Sequence, residues 1–288
     1  MAQKQDPHPR RKGSVVWATV LSWLSSLLLA LLALCLVVLM TICSASYMKE
    51  QVNRSAFSEA AYSYLYDNFI SYGASSGFSA DVMTAALSRD QITADMADSI
   101  TRLYQGDTAI DTRNAILNTT YDNLINDLNS RSVEVTSDVE SAVVVADACR
   151  LDYANYVTVP LASQLYTFIE KCSRVVPVAV AIMAVLCAVS LFVMLRLAGS
   201  SRYGVRCLTF AFTAAAALCA LAATIIFPAI HMEALSINPA SVKQLIVTYV
   251  QNLFGRFGLF AIIYGAVAVI LLALTITARS RMKRRQNI

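Results

Sequence analysis

From Ser14 to Met48 the chain carries no charged side chain, and from Ser14 to Tyr72 it carries neither glycine nor proline. An apolar run of this length predicts a membrane-spanning helix, because roughly 20 residues at about 1.5 Å each cross the hydrocarbon core. The uninterrupted run also predicts that the helix continues as a stalk, on the order of 90 Å long if unbroken. Three more apolar runs follow, and they divide the chain into nine segments: a tail (1–13), span one (14–44), a long outer segment (45–174), span two (175–195), an inner loop (196–207), span three (208–230), an outer loop (231–256), span four (257–278) and a basic tail (279–288). Trp17, Trp23 and Tyr47 fit interfacial anchors of span one. Ser22, Ser26 and Ala30 in span one, and Ala211, Ala215, Cys219 and Ala223 in span three, form small-residue stripes that let helices approach closely.

The outer segment has helical periodicity. After the aromatic stretch Phe57 to Tyr72, which we read as a packing face rather than a ligand surface, Gly73 occupies the place of a left-handed cap. Ser79 is placed to cap a short helix, and Ser88-Arg89-Asp90-Gln91 matches a capping box ahead of the face Ile92, Met96, Ile100, Leu103. That helix stops at Gly106, and 107–111 is a loop. Two seams follow, Ile110, Asn114, Leu117, Tyr121, Leu124, Leu128 and then Val135, Val139, Ala142, Ala146, Cys149, Tyr153. Thr158 and Pro160 mark a helix start, and Leu161, Leu165, Phe168 and Cys172 carry the seam into span two, where Pro177 predicts a kink. In the outer loop, Val242, Leu245, Ile246, Tyr249, Leu253 and Phe254 make the apolar face of an amphipathic helix lying on the outer membrane surface or on the base of the outer domain. The expected fold is an all-α membrane protein, four transmembrane helices with an extracytoplasmic helical bundle inserted between spans one and two.

Composition sharpens the topology. With 57% hydrophobic and 15% charged residues, the chain falls outside the soluble range. Lys4, Arg10, Arg11 and Lys12 precede span one, Arg196, Arg202 and Arg206 lie between spans two and three, and Arg279, Arg281, Lys283, Arg284 and Arg285 follow span four. The segment from Lys49 to Arg174 instead holds nine basic and seventeen acidic residues, a balance of −8. The positive-inside bias therefore places both termini in the cytoplasm. The basic tails are read as orienting flanks, not as a nucleic-acid surface.

Catalytic motifs are missing. No Asp, Glu, Lys, Arg or His falls within the four hydrocarbon segments, which argues against proton-coupled transport and intramembrane proteolysis. There is no P-loop, HExxH or GxSxG, and only His8 and His231 are present, the latter near Glu233. No catalytic residue, cofactor or metal site is expected. The seven cysteines make no disulfide framework. Cys43 and Cys172 should both lie near the outer membrane face, and they are a candidate disulfide, the alternative being two free thiols; Cys149 is a poorer partner on axial offset. Asn53 and Asn118 begin sequons.

The stretches Gly77-Phe78, Ser88-Arg89-Asp90-Gln91-Ile92 and Leu103-Tyr104-Gln105-Gly106-Asp107 resemble a recurring pattern in uncharacterised Gram-positive membrane proteins with four spans and a helical ectodomain. That resemblance implies a bacterial plasma membrane and no particular activity. The layout, and Arg196-Leu197-Ala198-Gly199-Ser200-Ser201, also resemble the FtsX permease family and MacB-type transporters. Here, however, the inner loop is short and the outer segment all-helical. The expected function is a non-enzymatic membrane protein whose acidic ectodomain senses, binds or scaffolds at the cell envelope with a membrane or envelope protein partner. The alternative is a permease-like subunit transmitting motion from a separate cytoplasmic ATPase.

Overall fold

The structure, a computed structural model, describes residues 12–107, 113–131, 138–159, 161–198, 201–226 and 240–286. It is all-helical, with no strand among these residues. The helices are α1 (Lys12–Thr41), α2 (Ala45–Arg54), α3 (Phe57–Ser75), α4 (Ala80–Thr84), α5 (Arg89–Gln105), α6 (Asn114–Ser130), α7 (Asp138–Val157), α8 (Ala162–Leu197), α9 (Ser201–Leu221, extended by the π turn Ala222–Ile226) and α10 (Ala240–Gln286). Four of them, α1, α8, α9 and α10, contain segments long and apolar enough to cross a membrane. Two compact units result, a span unit (Met1–Thr41, Ser173–His231, Gln251–Ile288) and a bundle unit (Ile42–Cys172, Met232–Val250).

In the span unit the small-residue stripes are buried except at Ala30 and Ala223, which are half-buried. Ser22, Ser25 and Ser26 of α1 and Ala211, Ala215 and Cys219 of α9 are at most 2% exposed. Close approach lets side chains bond across helices. Ser22 Oγ donates to the Cys207 carbonyl at 2.7 Å, Ser25 and Ser190 share a 2.7 Å hydroxyl bond, and Tyr264 Oη donates to the Leu29 carbonyl at 3.0 Å. Each such bond contributes about 0.6 kcal/mol in a bilayer, so packing of the small faces carries more of the association. Elsewhere α8 and α10 expose Val178, Ile182, Val185, Ile262, Val269 and Leu274, an apolar surface suited to contact with hydrocarbon.

The bundle unit departs from the expected single long helix. The run from Ser14 to Tyr72 breaks twice, between Thr41 and Ala45 and again between Arg54 and Phe57. Serines account for both breaks. Extended Ser44 (φ −117°, ψ 107°) accepts the Tyr47 amide on its side chain, while Ser55 Oγ donates to the Val52 carbonyl and accepts the Phe57 amide. Local hydroxyl bonding thus replaces helix bonds without any glycine or proline. Tyr47, read as an interfacial anchor, is buried and meets Tyr249 edge-on at 5.6 Å.

Gly73 is not the left-handed residue. It lies inside α3 with Gly77 (φ 79°) beyond it, and the Phe78 amide closes back onto the Gly73 carbonyl. Gly73 is needed for proximity instead: a Cβ there would overlap Met83 Cγ and lie 2.9 Å from its Sδ, and Met83 is wholly buried. Gly73→Ala is therefore expected to destabilise the bundle by about 1–3 kcal/mol, read as a lowered thermal midpoint of the purified chain. Gly106 does take the expected cap (φ 85°), with the Asp107 amide bonded to the Arg102 carbonyl.

The core comprises Phe57, Leu65, Phe69, Met83, Ile92, Met96, Ile100, Leu124, Cys149 and Tyr153 with their neighbours. The seam of α6 runs through Ile116, Thr120, Leu124 and Leu128; Asn114 is exposed and Ile110 lies outside the described residues. A straight helix repeats every 3.6 residues, and four-residue steps keep one face inward over this short length. In α7, Ala142, Ala146, Cys149 and Tyr153 are buried as expected, and Val143 and Val144 face outward on a helix; Val135 is outside the described residues. Entering α8, Leu165 and Ile169 pack inward, while Leu161 (φ 55°) and Phe168 are exposed. Pro177 stands inside α8, and Pro160 is outside the described residues. The first part of the amphipathic outer segment, through Val250, belongs to the bundle unit, where Leu245 is a core residue, whereas Leu253 and Phe254 pack in the span unit; the whole segment lies on the same α10 that continues into the fourth apolar run.

Candidate functional site: a polar cleft on a buried ion pair

Within the bundle unit, α5, α6 and α7 bring three polar side chains together. Asp95 lies on α5, one position from the buried Met96. Arg113 immediately precedes α6, and Tyr153 is on the buried face of α7. Arg113 Nη1 lies 3.5 Å from Asp95 Oδ1, and the two side chains are only 8% and 15% exposed. Arg113 Nη2 also donates to Ser99 Oγ at 2.7 Å and to the Asp95 carbonyl at 3.1 Å. The second carboxylate oxygen, Oδ2, accepts from Tyr153 Oη at 2.7 Å, while Oδ1 accepts from Gln91 Nε2 at 2.9 Å.

This arrangement corrects the capping-box expectation. Ser88 is the N-cap residue of α5 but makes no side-chain cap bond, and Gln91 turns forward to Asp95 instead of back to Ser88. A charge-assisted bond to a half-dry carboxylate outweighs a neutral bond at a solvated helix end. The backbone is shaped to the same purpose. Arg113 sits at φ 49°, ψ 44°, a left-handed conformation that costs a non-glycine residue about 1 kcal/mol. The guanidinium bonds hold it there.

An open cleft of about 540 Å³ adjoins the network, lined by Asp95, Arg113, Ser88, Gln91, Asn114 and Thr119 among others. Its chemistry is hydrogen bonding. Asp95 already accepts two side-chain bonds besides its ion pair, so proton abstraction by it would disrupt the network, and Tyr153 is held as a neutral donor. Burial foremost, then the bond to Asp95 and its charge, push the Tyr153 hydroxyl far above its ordinary value of 10.0, with Arg113 opposing. Tyr104 and Tyr156 are raised mainly by burial, and the Cys149 thiol is pushed up to about 12 by burial and then by Asp152.

Cys43 and Cys172 are both half-buried thiols here. Burial, and secondarily the neighbouring Cys43, push the Cys172 thiol up. Asn53 and Asn118 are exposed. The described residues contain no His/Cys/Asp/Glu group with the makings of a metal site, and His231 and Glu233 lie outside them. The Asp95–Arg113–Tyr153 association was not anticipated from the sequence. Its one legible signal was a charged residue bordering an apolar helix face.

No protein-family model, curated protein or solved structure matches the chain.

Proposed function

We propose that this is a plasma-membrane protein with both termini in the cytoplasm, whose acidic extracytoplasmic bundle binds a component of the cell envelope in the cleft beside Asp95 and Arg113. It acts as a sensor or scaffold and performs no chemistry on what it binds. The sorting of basic residues to the tails and inner loop supports the orientation. The observation that carries the binding reading is a hydrogen-bonded ion pair at the wall of an open polar cleft, in a bundle whose core is otherwise mainly apolar. A buried ion pair is commonly no more stabilising than well-packed apolar residues of the same volume, so stability alone is a weak reason for its presence. Recognition of a polar ligand is a sufficient one. Ser88, Gln91, Asn114 and Thr119 offer donors and acceptors without net charge, suited to a neutral amide- or hydroxyl-bearing ligand.

A photoreactive side chain at exposed Asn114, illuminated in intact cells producing the full chain, tests this reading. An adduct is expected, and it should fall at least several-fold in Asp95→Leu/Arg113→Met/Tyr153→Phe, which removes the network as a unit. No adduct, or equal adducts in both proteins, would count against the cleft as the binding site.

A further inference from the structure

A second cavity in the bundle unit differs in every chemical respect. It measures about 190 Å³ and is walled almost wholly by apolar groups, including Ile42, Met48, Leu103, Leu165 and Ile169. The Tyr104 hydroxyl, on its wall, is committed to the Ile42 carbonyl at 2.7 Å. A cavity of about 150 Å³ lined by aliphatic and aromatic side chains stays dry and admits benzene, so this one has room for a short run of methylenes and little attraction for water.

Its place in the chain identifies the occupant. Ile42 directly follows α1, Ile169 precedes the expected start of span two by six residues, and Tyr249, also on the wall, precedes that of span four by eight. Three of the segments that build the cavity are therefore the ones that join the bundle to membrane-crossing helices. We infer that the cavity takes the end of a lipid acyl chain. A soluble apolar metabolite would have the same affinity for the walls, but bilayer lipid is the apolar species present at high concentration where these segments meet the membrane. This site is separate from the polar cleft and does not depend on its function.

Reconstitution of the full chain with a phospholipid bearing a diazirine near the end of one acyl chain, followed by illumination and peptide mapping, tests the assignment. Adducts are expected on Met48 or Leu165 of the bundle as well as on exposed span residues such as Val185. Filling the cavity with Leu165→Trp should reduce the bundle adducts at least several-fold and leave the span adducts unchanged. Titration of the wild-type protein with a short-chain free fatty acid provides a readout independent of that variant's folding, since it should deplete the bundle adducts selectively. Adducts confined to the spans would overturn the assignment. Bundle and span adducts that fall in strict proportion under the fatty acid would overturn it too, because they report only nearness to the bilayer.

Discussion

Arg113→Met is expected to lower the stability of the bundle unit by about 3–5 kcal/mol, the cost of leaving a largely buried carboxylate without its cation. For a unit of this size that corresponds to a fall in thermal midpoint on the order of 10 °C, measurable by circular dichroism on the purified full chain. Asp95 would keep its bonds from Gln91 and Tyr153, but neither carries a positive charge. The left-handed backbone at Arg113 would also lose the guanidinium bonds that hold it. The contrast that gives the result meaning is the triple replacement Asp95→Leu/Arg113→Met/Tyr153→Phe. Removing both charges together with the hydroxyl that depends on them leaves no unpaired charge; only half-buried Ser99 and exposed Gln91 lose a partner, so its stability should return to within about 1–2 kcal/mol of the parent. A single variant as stable as the parent would mean that the ion pair is solvated and not part of the core.

Alkaline pH should unfold the bundle well before it affects helix formation itself. Cys149 and Tyr153 are fully buried, with folded-state values raised above 9.0 and 10.0 respectively. A group raised in the folded state holds its proton there after the unfolded chain has lost its own. Its contribution is thus complete below the unfolded value and is lost as pH climbs toward the folded one. Between about pH 10 and 12 each such group removes about 1.4 kcal/mol per pH unit, or about 3 kcal/mol per unit for the two together, and Tyr104 and Tyr156 add in the same direction. Stability measured by denaturant titration from pH 8 to pH 12 should be flat to about pH 9 and then fall steeply. Tyr153→Phe should make the fall shallower by about 1.4 kcal/mol per unit. An unchanged slope in that variant would place the alkaline loss elsewhere.

Much of the architecture was legible because apolar periodicity is a strong signal. The four membrane-compatible helices, the stop at Gly106 and the buried face Ile92, Met96, Ile100, Leu103 each follow from side-chain type at helical spacing. What escaped was decided by polar side chains acting locally or at long range. Ser44 and Ser55 end helices by bonding to their own backbone, and nothing in composition separates them from the many serines that do not. Gly73 was assigned by residue type to a turn, whereas Met83, ten positions on, decides its role. The Asp95–Arg113–Tyr153 network joins residues 18, 40 and 58 positions apart, and the short stretch before Arg113 reads from sequence as an ordinary loop. Of the apolar face expected in the outer loop only Leu245 is buried, and only tertiary packing assigns it to the bundle core.

Binding of an envelope component requires that the bundle unit, with its polar cleft, face out of the cell. Single cysteines at Asn118 on the exposed face of α6 and at Arg285 in the basic tail, each treated with a membrane-impermeant maleimide before and after permeabilisation and compared with the parent chain, measure this directly. Asn118→Cys is expected to be labelled in intact cells and Arg285→Cys only once the membrane is opened. Labelling in the reverse order would turn the protein inside out and remove the envelope ligand along with it.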